Sequence, residues 1–423
     1  MLIVQKFGGT SVGDIERIRK VAKKVVETKR AGNDVVVVVS AMAGETDRLI
    51  NLAYQLTDNP DMRELDVLVS TGEQVSTALL AMAIIELGCR ALSLQNHQIK
   101  IITDSSFTKA KIRRVDAEKL INLLKNDIIP VIAGFQGIDE NGNITTLGRG
   151  GSDTTAVAIA ASLMSYRDDV ICEIYTDVDG VYTADPNIIP YARRLDEISY
   201  EEMLELSGSG AKVLQTRSVG LAMKYNVKLY VKSSFIDGKG TLITKETQKM
   251  IEDIVVRGIA SDKTQARITL LGIPDDQNVI IELFNSIAEA NIVIDIITQT
   301  SSVDGLTDIG FTVSKSDFKR AFEIARKFAE KNGVKNVLGD LNIGKVSIIG
   351  IGMVSHAGVA SRMFSALARA GIKVYMISTS EIKISCVIDE KDIEKAVKVL
   401  YDEFKLSVDP KSEIQIKSDS LNL

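Results

Sequence analysis

Near-continuous apolar runs alternate with amphipathic stretches through the first half of the chain. Met1–Lys6 reads as a strand, and Asp14–Arg30 places Ile15, Ile18, Val21, Ala22, Val25 and Val26 near helical spacing. Asp34–Val39 is apolar enough to be buried on both faces of a parallel sheet, and so is Ile128–Ala133. Between them, Thr46–Leu56 and Glu64–Ala83 predict helices on either side of the Asn59-Pro60 break. A strand over Gly142–Thr146, an Ala-rich helix over Ala156–Leu163 and a strand over Val170–Thr176 follow. Further on come a helix near Ser199–Leu206, another ending near Tyr225, and strands at Val227–Ser233 and Thr241–Ile243. Strands alternating with helices, with small-residue loops at the strand ends, predict an α/β fold: an αβα sandwich whose ligands bind along one edge of the sheet.

The second half contains an internal repeat. Leu271-Gly272-Ile273 through Phe284, Ala288, Ala290, Asn291 and Ile292 matches Ile351-Gly352-Met353 through Phe364, Ala368, Ala370, Gly371 and Ile372, at an offset of 80. Each copy reads strand, helix, strand, strand, helix, strand, and each closes with an amphipathic helix, near Asp317–Asn332 or Lys391–Phe404. Two such modules in tandem suggest a sensor more than a catalytic unit. The polar segment Lys245–Met250 reads as a linker. The expected boundaries are 1–245 for the sandwich, 246–263 for the linker, 264–340 for the first repeat and 341–423 for the second.

Composition narrows the function classes. A chain of 423 residues, 45% hydrophobic and 25% charged, is long enough for two to four domains. A net charge of -5 without a basic stripe argues against nucleic acid, and no apolar run reaches the roughly 18 residues that a membrane span needs. Cys89, Cys172 and Cys386 form no CxxC motif, and His97 and His356 are the only histidines, which argues against a zinc site. Free thiols and a first strand without a signal-peptide pattern predict a cytoplasmic protein.

Candidate chemistry gathers at the strand ends. Gly148-Arg149-Gly150-Gly151-Ser152-Asp153 lies between a strand and a helix and is suited to an anion: the glycines allow close backbone approach, Ser152 or Asp153 is a good N-cap, and Arg149 adds a planar fork for a carboxylate. An ordinary strand-to-helix turn has the same composition. Lys6-Phe7-Gly8-Gly9-Thr10-Ser11 gives strand, Gly-Gly loop and helix, a phosphate-site layout in which the lysine precedes the glycines, so it is not a P-loop. A lysine at a strand end also suits a solvated edge. Ser40-Ala41-Met42-Ala43-Gly44 and Gly134-Phe135-Gln136-Gly137 are further small-residue loops, and Glu73 stands out on the Glu64–Ala83 helix. Asp177 through Pro186 turns sharply twice and leaves Tyr182 as a flat surface for a base or ribose. Its paired aspartates fit a metal site or Asx turns equally in composition. Lys212 is a second lysine beside a glycine pair.

Together, Lys6–Ser11, Gly148–Asp153 and Thr176–Tyr182 resemble the aspartate kinases of the amino acid kinase family, and the repeat resembles their two ferredoxin-like ACT domains. The resemblance spans essentially the whole chain. It implies phosphoryl transfer from ATP, with Mg²⁺ held largely by phosphates and water, to the side chain of L-aspartate. Lys6 and Lys212 would supply positive charge, and Gly8 and Gly9 backbone donors. Arg149 would hold the substrate α-carboxylate, with Ser152 beside it, and Glu73 and Asp153 would face its ammonium. Ser40 and Thr46 would line the same pocket, and Thr176, Asp177 and Tyr182 the nucleotide side. No protein metal cage is implied. The family commonly has arginine where this chain has Asn187, with Arg193 or Arg194 as possible substitutes.

The same resemblance implies feedback by threonine or lysine at Asp295, Gln299 and Thr300, with Thr379 and Ser380 as counterparts in the second repeat. It also implies a homo-oligomer paired through the ACT domains. Met250 suits an internal start that would make a shorter, ACT-only chain. The alternatives are a kinase of another acidic amino acid and a non-catalytic amino-acid sensor.

Overall fold

The computed structural model describes residues 1–211, 213–245 and 255–407. They divide into two compact units. The first holds Met1–Val181, Arg194–Gly208 and residues 213–245; the second holds Tyr182–Arg193, Ser209–Ala211 and residues 255–407.

The strands of the first unit are β1 (Leu2–Phe7), β2 (Asp34–Val39), β3 (Ala91–Leu94), β4 (Ile101–Thr103), β5 (Ile112–Val115), β6 (Ile129–Ala133), β7 (Gln136–Ile138), β8 (Ile144–Thr146), β9 (Val170–Thr176), β10 (Glu197–Ser199), β11 (Leu229–Ser233) and β12 (Thr241–Thr244). Its helices are α1 (Ile15–Arg30), α2 (Glu45–Leu56), α3 (Met62–Glu86), α4 (Asn96–Ile99), α5 (Glu118–Lys125), α6 (Gly151–Leu163), α7 (Tyr200–Gly208) and α8 (Thr216–Tyr225). Eight strands form one sheet in the order β10-β12-β11-β9-β1-β2-β6-β3, parallel except for β11 against β12. The valine run of β2 is fully buried from Val35 to Val39, as a central strand covered by helices on both faces requires. A second, four-stranded sheet, β5-β4-β7-β8, leads the chain into α6.

Polar residues mark where the helices begin. The Asp14 carboxylate accepts the Arg17 N–H at 2.8 Å to open α1, and Asp61 accepts from Arg63 and Glu64 to open α3. By length and composition α3 could cross a membrane, and half of it is buried within this fold. Its buried face also carries Asp66, Ser70, Glu73 and Thr77, as expected of a helix that lines a polar site.

The second unit contains β13 (Gly258–Asp262), β14 (Gln265–Pro274), α9 (Gln277–Glu289), β15 (Ile294–Gln299), β16 (Leu306–Ser314), α10 (Phe318–Asn332), β17 (Asn336–Asp340), β18 (Ile343–Ile349), α11 (Val359–Arg369), β19 (Val374–Thr379), β20 (Lys383–Asp389) and α12 (Ile393–Glu403). The first repeat closes as its pattern predicts, with β15-β16-β14-β17 backed by α9 and α10. The second sheet is β13-β18-β20-β19, and its fourth strand lies ahead of the first repeat in the chain. Residues 258–262, read from the sequence as linker, are therefore a strand, and the first repeat is inserted into the second. A five-residue strand with three buried positions has too little alternation to be recognised without its partner.

The segment Tyr182–Arg193 joins the core of this second unit. Ala184, Ile189 and Ala192 pack with residues of β18, α11 and α12. The Ile259 N–H donates to the Thr183 carbonyl at 2.8 Å, and the Tyr401 hydroxyl meets Thr183 Oγ1 and the Arg193 N–H, each at 3.3 Å.

Candidate active site

Four adjacent parallel strands, β9, β1, β2 and β6, carry loops at their carboxyl ends, which is where α/β sheets bind ligands. At the end of β1, Lys6 is only 8% exposed, and its Nζ lies 2.6 Å from Asp153 Oδ1. Asp153 sits in the first turn of α6, where unpaired N–H groups already favour an anion. That helix starts earlier than its apolar pattern predicts. Gly150 is the N-cap, at φ 66°, so Ser152 and Asp153 fall inside the first turn instead of capping it. A Cβ on residue 150 would also meet the Gln215 side chain at 1.7 Å, so only glycine fits here. Asp153, expected to act in catalysis and to face a substrate ammonium, is paired with Lys6 in the structure.

Glu73 is 2% exposed on the inner face of α3. Its Oε1 accepts the Ala41 N–H at 3.0 Å, in the loop after β2, and its Oε2 has no hydrogen-bond partner among the described residues. Burial pushes its carboxyl up to about 7 against the opposing effect of that N–H. A buried acceptor with one oxygen unmatched is costly unless something arrives to satisfy it.

The other predicted residues vary in placement. Ser40 is half-buried at the β2 end, its N–H donating to the Phe7 carbonyl, and Thr46 is half-buried in the first turn of α2. Ser152 is buried and Arg149 is exposed, making no hydrogen bond or ion pair among the described residues. The Gly8 N–H, read as a phosphate donor, points to the Tyr175 carbonyl at 3.4 Å. Gly9 opens the 3₁₀ turn Gly9–Val12, a position whose N–H has no partner within the turn. Thr176 closes a tight turn on itself, its Oγ1 accepting the Val178 N–H and donating to the Val178 carbonyl, next to exposed Asp177.

Tyr182 and Asn187 fall in the second unit, where the Asn187 amide and N–H both donate to Asp185. Arg194, a possible substitute for the missing arginine, is paired with Asp179 at 3.2 Å. Lys212 and Met250 lie outside the described residues.

Among the effector candidates, Gln299, Thr379 and Ser380 are exposed at the ends of β15 and β19. Thr300 is engaged in the hairpin, its Oγ1 accepting the Asp308 N–H at 2.9 Å. The Asp295 carboxylate is held by the ammonium of buried Lys345, so an effector would have to compete for it.

Two features were not read from the sequence. Ala41 supplies the N–H that holds Glu73, and a backbone donor leaves no mark in residue identity. Phe135 sits at φ 69°, an outlier for a bulky residue, with its carbonyl accepting the Leu147 N–H at 2.8 Å and its own N–H donating to Thr155 Oγ1. The glycines at 134 and 137 were the available hint of a forced turn.

Residues 1–233 match the model of the amino acid kinase family, and residues 346–404 that of an ACT domain. An aspartokinase of Pseudomonas aeruginosa is 54% identical over 406 residues, covering 96% of this chain and 98% of its own. The chain belongs to the aspartokinase family. An aspartokinase of Helicobacter pylori is 49% identical over 409 residues, 96% of this chain and 100% of that one. Among solved structures, E. coli aspartokinase III in complex with aspartate and ADP matches with a TM-score of 0.79 at 25% identity, over 95% of this chain and 99% of that one. Its complex with lysine and aspartate matches with a TM-score of 0.74 at 26% identity, with the same coverage. Within this aspartokinase family, the strand-end loops and the Lys6–Asp153 pair described above make up the candidate active site.

Proposed function

We propose that this chain transfers the γ-phosphoryl group of ATP to the side-chain carboxylate of L-aspartate, giving 4-phospho-L-aspartate and ADP, the first step of lysine, threonine and methionine biosynthesis. Glu73 carries the reading: a buried carboxylate with an unmatched oxygen beside the strand-end loops suits the ammonium of an amino acid. The aspartate and ADP bound by the E. coli relative support it.

Aspartate's side chain, with a reference pKa of about 3.9, is ionised at neutral pH, so the reaction needs no general base. A carboxylate oxygen forms a bond to the γ-phosphorus while the bond to the bridging oxygen of ADP breaks, and ADP departs with that electron pair. The difficulty is bringing two anions together. Lys6, oriented by Asp153, supplies a fixed cation against the phosphoryl oxygens, and the first turns at Gly9 and Gly151 add N–H dipoles. Magnesium would come with the nucleotide. Among the described residues no group of three or more His, Cys, Asp or Glu could cage a metal, and an ion that keeps several waters needs only one or two carboxylates.

Arg149, exposed on the cradle, would take the α-carboxylate as a bidentate fork. Arg149→Lys should therefore weaken aspartate binding by about 1.5–3 kcal/mol with little change in kcat; an unchanged aspartate KM would remove Arg149 from this role. ADP release from the purified protein, measured with aspartate, glutamate and N-acetylglutamate in parallel, tests the whole reading. Aspartate alone should support turnover. Equal turnover of glutamate would overturn the substrate assignment, and no ADP with any of them would favour a non-catalytic sensor.

The ACT modules would report an end product, threonine or lysine, and pair between chains; the lysine in the E. coli relative's complex supports such an effector. Gln299→Ala should keep basal turnover and move inhibition to higher effector concentration. A typical coupling of about 1–3 kcal/mol corresponds to some 5–150-fold in affinity. Wild type unresponsive to threonine, lysine and both together would defeat the regulatory reading and leave the kinase assignment intact.

A further inference from the structure

The cradle that carries Arg149 is held from two sides by groups with no part in the chemistry above. On one side, Asp66 of α3 is fully buried and makes no ion pair among the described residues. Its carboxylate accepts four hydrogen bonds: the Thr108 N–H at 2.9 and 3.1 Å to its two oxygens, the Thr146 N–H at 2.8 Å and the Thr146 hydroxyl at 2.6 Å. Thr108 sits at φ 66°, a strained conformation for a β-branched residue that persists only where its surroundings impose it. Its carbonyl lies 3.0 Å from where a Cβ on Gly148 would stand, so the strained residue forms the wall against which the cradle turns.

On the other side, Arg217 of α8 donates from Nη1 to the Leu147 carbonyl at 2.9 Å and from Nη2 to the Ala110 carbonyl at 2.7 Å. The Ala110 N–H in turn donates to the Thr146 carbonyl at 2.9 Å. The chain from Thr146 to Leu147 is thus fixed by an acceptor on α3 and a donor on α8, two residues before Arg149. Both side chains are spent on backbone groups of this segment: Asp66 satisfies the Thr108 and Thr146 N–H groups, and Arg217 the Leu147 and Ala110 carbonyls.

We propose that Asp66 and Arg217 are positioning residues for amino-acid recognition, clamping the Thr146–Gly148 backbone so that the Arg149 guanidinium meets the substrate carboxylate. This rests on the assignment of Arg149 to that carboxylate. A displacement of about 1 Å at such a contact costs up to about a hundredfold, so the expected signature is a rise in aspartate KM of about 10–100-fold with ATP KM changed less than about twofold.

The test is a double-mutant cycle in the full-length protein, with Arg217→Gln, Thr146→Val and Asp66→Asn each made alone and in an Arg149→Lys background. Arg217 is half-buried and Thr146→Val is isosteric, so these two carry the test if Asp66→Asn does not fold. Each single variant should raise aspartate KM selectively, and in the Arg149→Lys background each should add less than about twofold, because the clamp then has no fork to position. Equal rises in both KM values, full additivity, or a change in thermal stability alone would overturn the clamp. If Arg149→Lys leaves aspartate KM unchanged, the Arg149 assignment itself falls. If Arg149→Lys raises it while folded Arg217→Gln and Thr146→Val do not, only the positioning role falls.

Discussion

Lys6→Ala is expected to lower kcat by about 10²–10³-fold, the loss seen when one fixed donor is removed from developing charge, while the aspartate KM changes little. The same substitution has a second effect, because Lys6 and Asp153 are a close pair with about a tenth of each side chain exposed. Removing one member of a buried pair leaves an uncompensated charge and destabilises by about 3–5 kcal/mol. Denaturant unfolding and turnover therefore need to be measured together. The neutral double variant Lys6→Met/Asp153→Asn should recover most of the stability and none of the activity. Near-normal kcat in folded Lys6→Ala would take this lysine out of the mechanism. Recovery of activity in the double variant would mean that Asp153 had been the harmful group all along.

Glu73 predicts a pH dependence that few other residues here would give. In the free protein its carboxyl titrates at about 7, raised by burial, and only the ionised form pairs with an ammonium. For aspartate, kcat/KM should be level above about pH 8 and fall about tenfold per unit as pH drops below 7. Aspartate's own carboxylates and ammonium do not titrate between pH 6 and 8. Glu73→Gln should flatten the profile and cost about 2–5 kcal/mol of aspartate binding, since the ammonium loses its counter-charge in a desolvated place.

Stability runs the other way. The folded protein holds this proton to about 7 while the unfolded chain releases it near 4.5, so stability is highest at low pH for this group and is lost as pH rises through 7. The loss is on the order of 3 kcal/mol when complete. Glu73→Gln should therefore be more stable than wild type at pH 8 in the absence of substrate. A wild-type kcat/KM that stays flat between pH 6 and 8 would show that Glu73 is already ionised, or that it does not meet the substrate.

Much of the architecture was legible in the residues. Strands such as Asp34–Val39 and Ile128–Ala133 must bury both faces, so they appear as apolar runs, and the loops at their ends must be small and polar to admit a ligand. The repeat was legible because each copy needs the same apolar spacing to close its own core. The four short elements Ala91–Leu94, Asn96–Ile99, Ile101–Thr103 and Ile112–Val115 passed unread, because three or four residues are too few to tell a period of two from one of 3.6.

Residue identity by itself determined which groups could do chemistry: a lysine before two glycines, an arginine and an aspartate in a glycine-rich turn, and a glutamate on a helix. Tertiary structure decided what state those groups are in. The pairing of Lys6 with Asp153 joins residues far apart in the chain, and the proton affinity of Glu73 depends on what packs around it to exclude water. Tertiary structure also placed β13 in the second repeat's sheet, Tyr182–Arg193 in the second unit, and Asp66 and Arg217 against the backbone that leads into the cradle. Periodicity records only which face of an element is apolar, whereas desolvation and hydrogen bonding depend on which distant segment comes to lie against it.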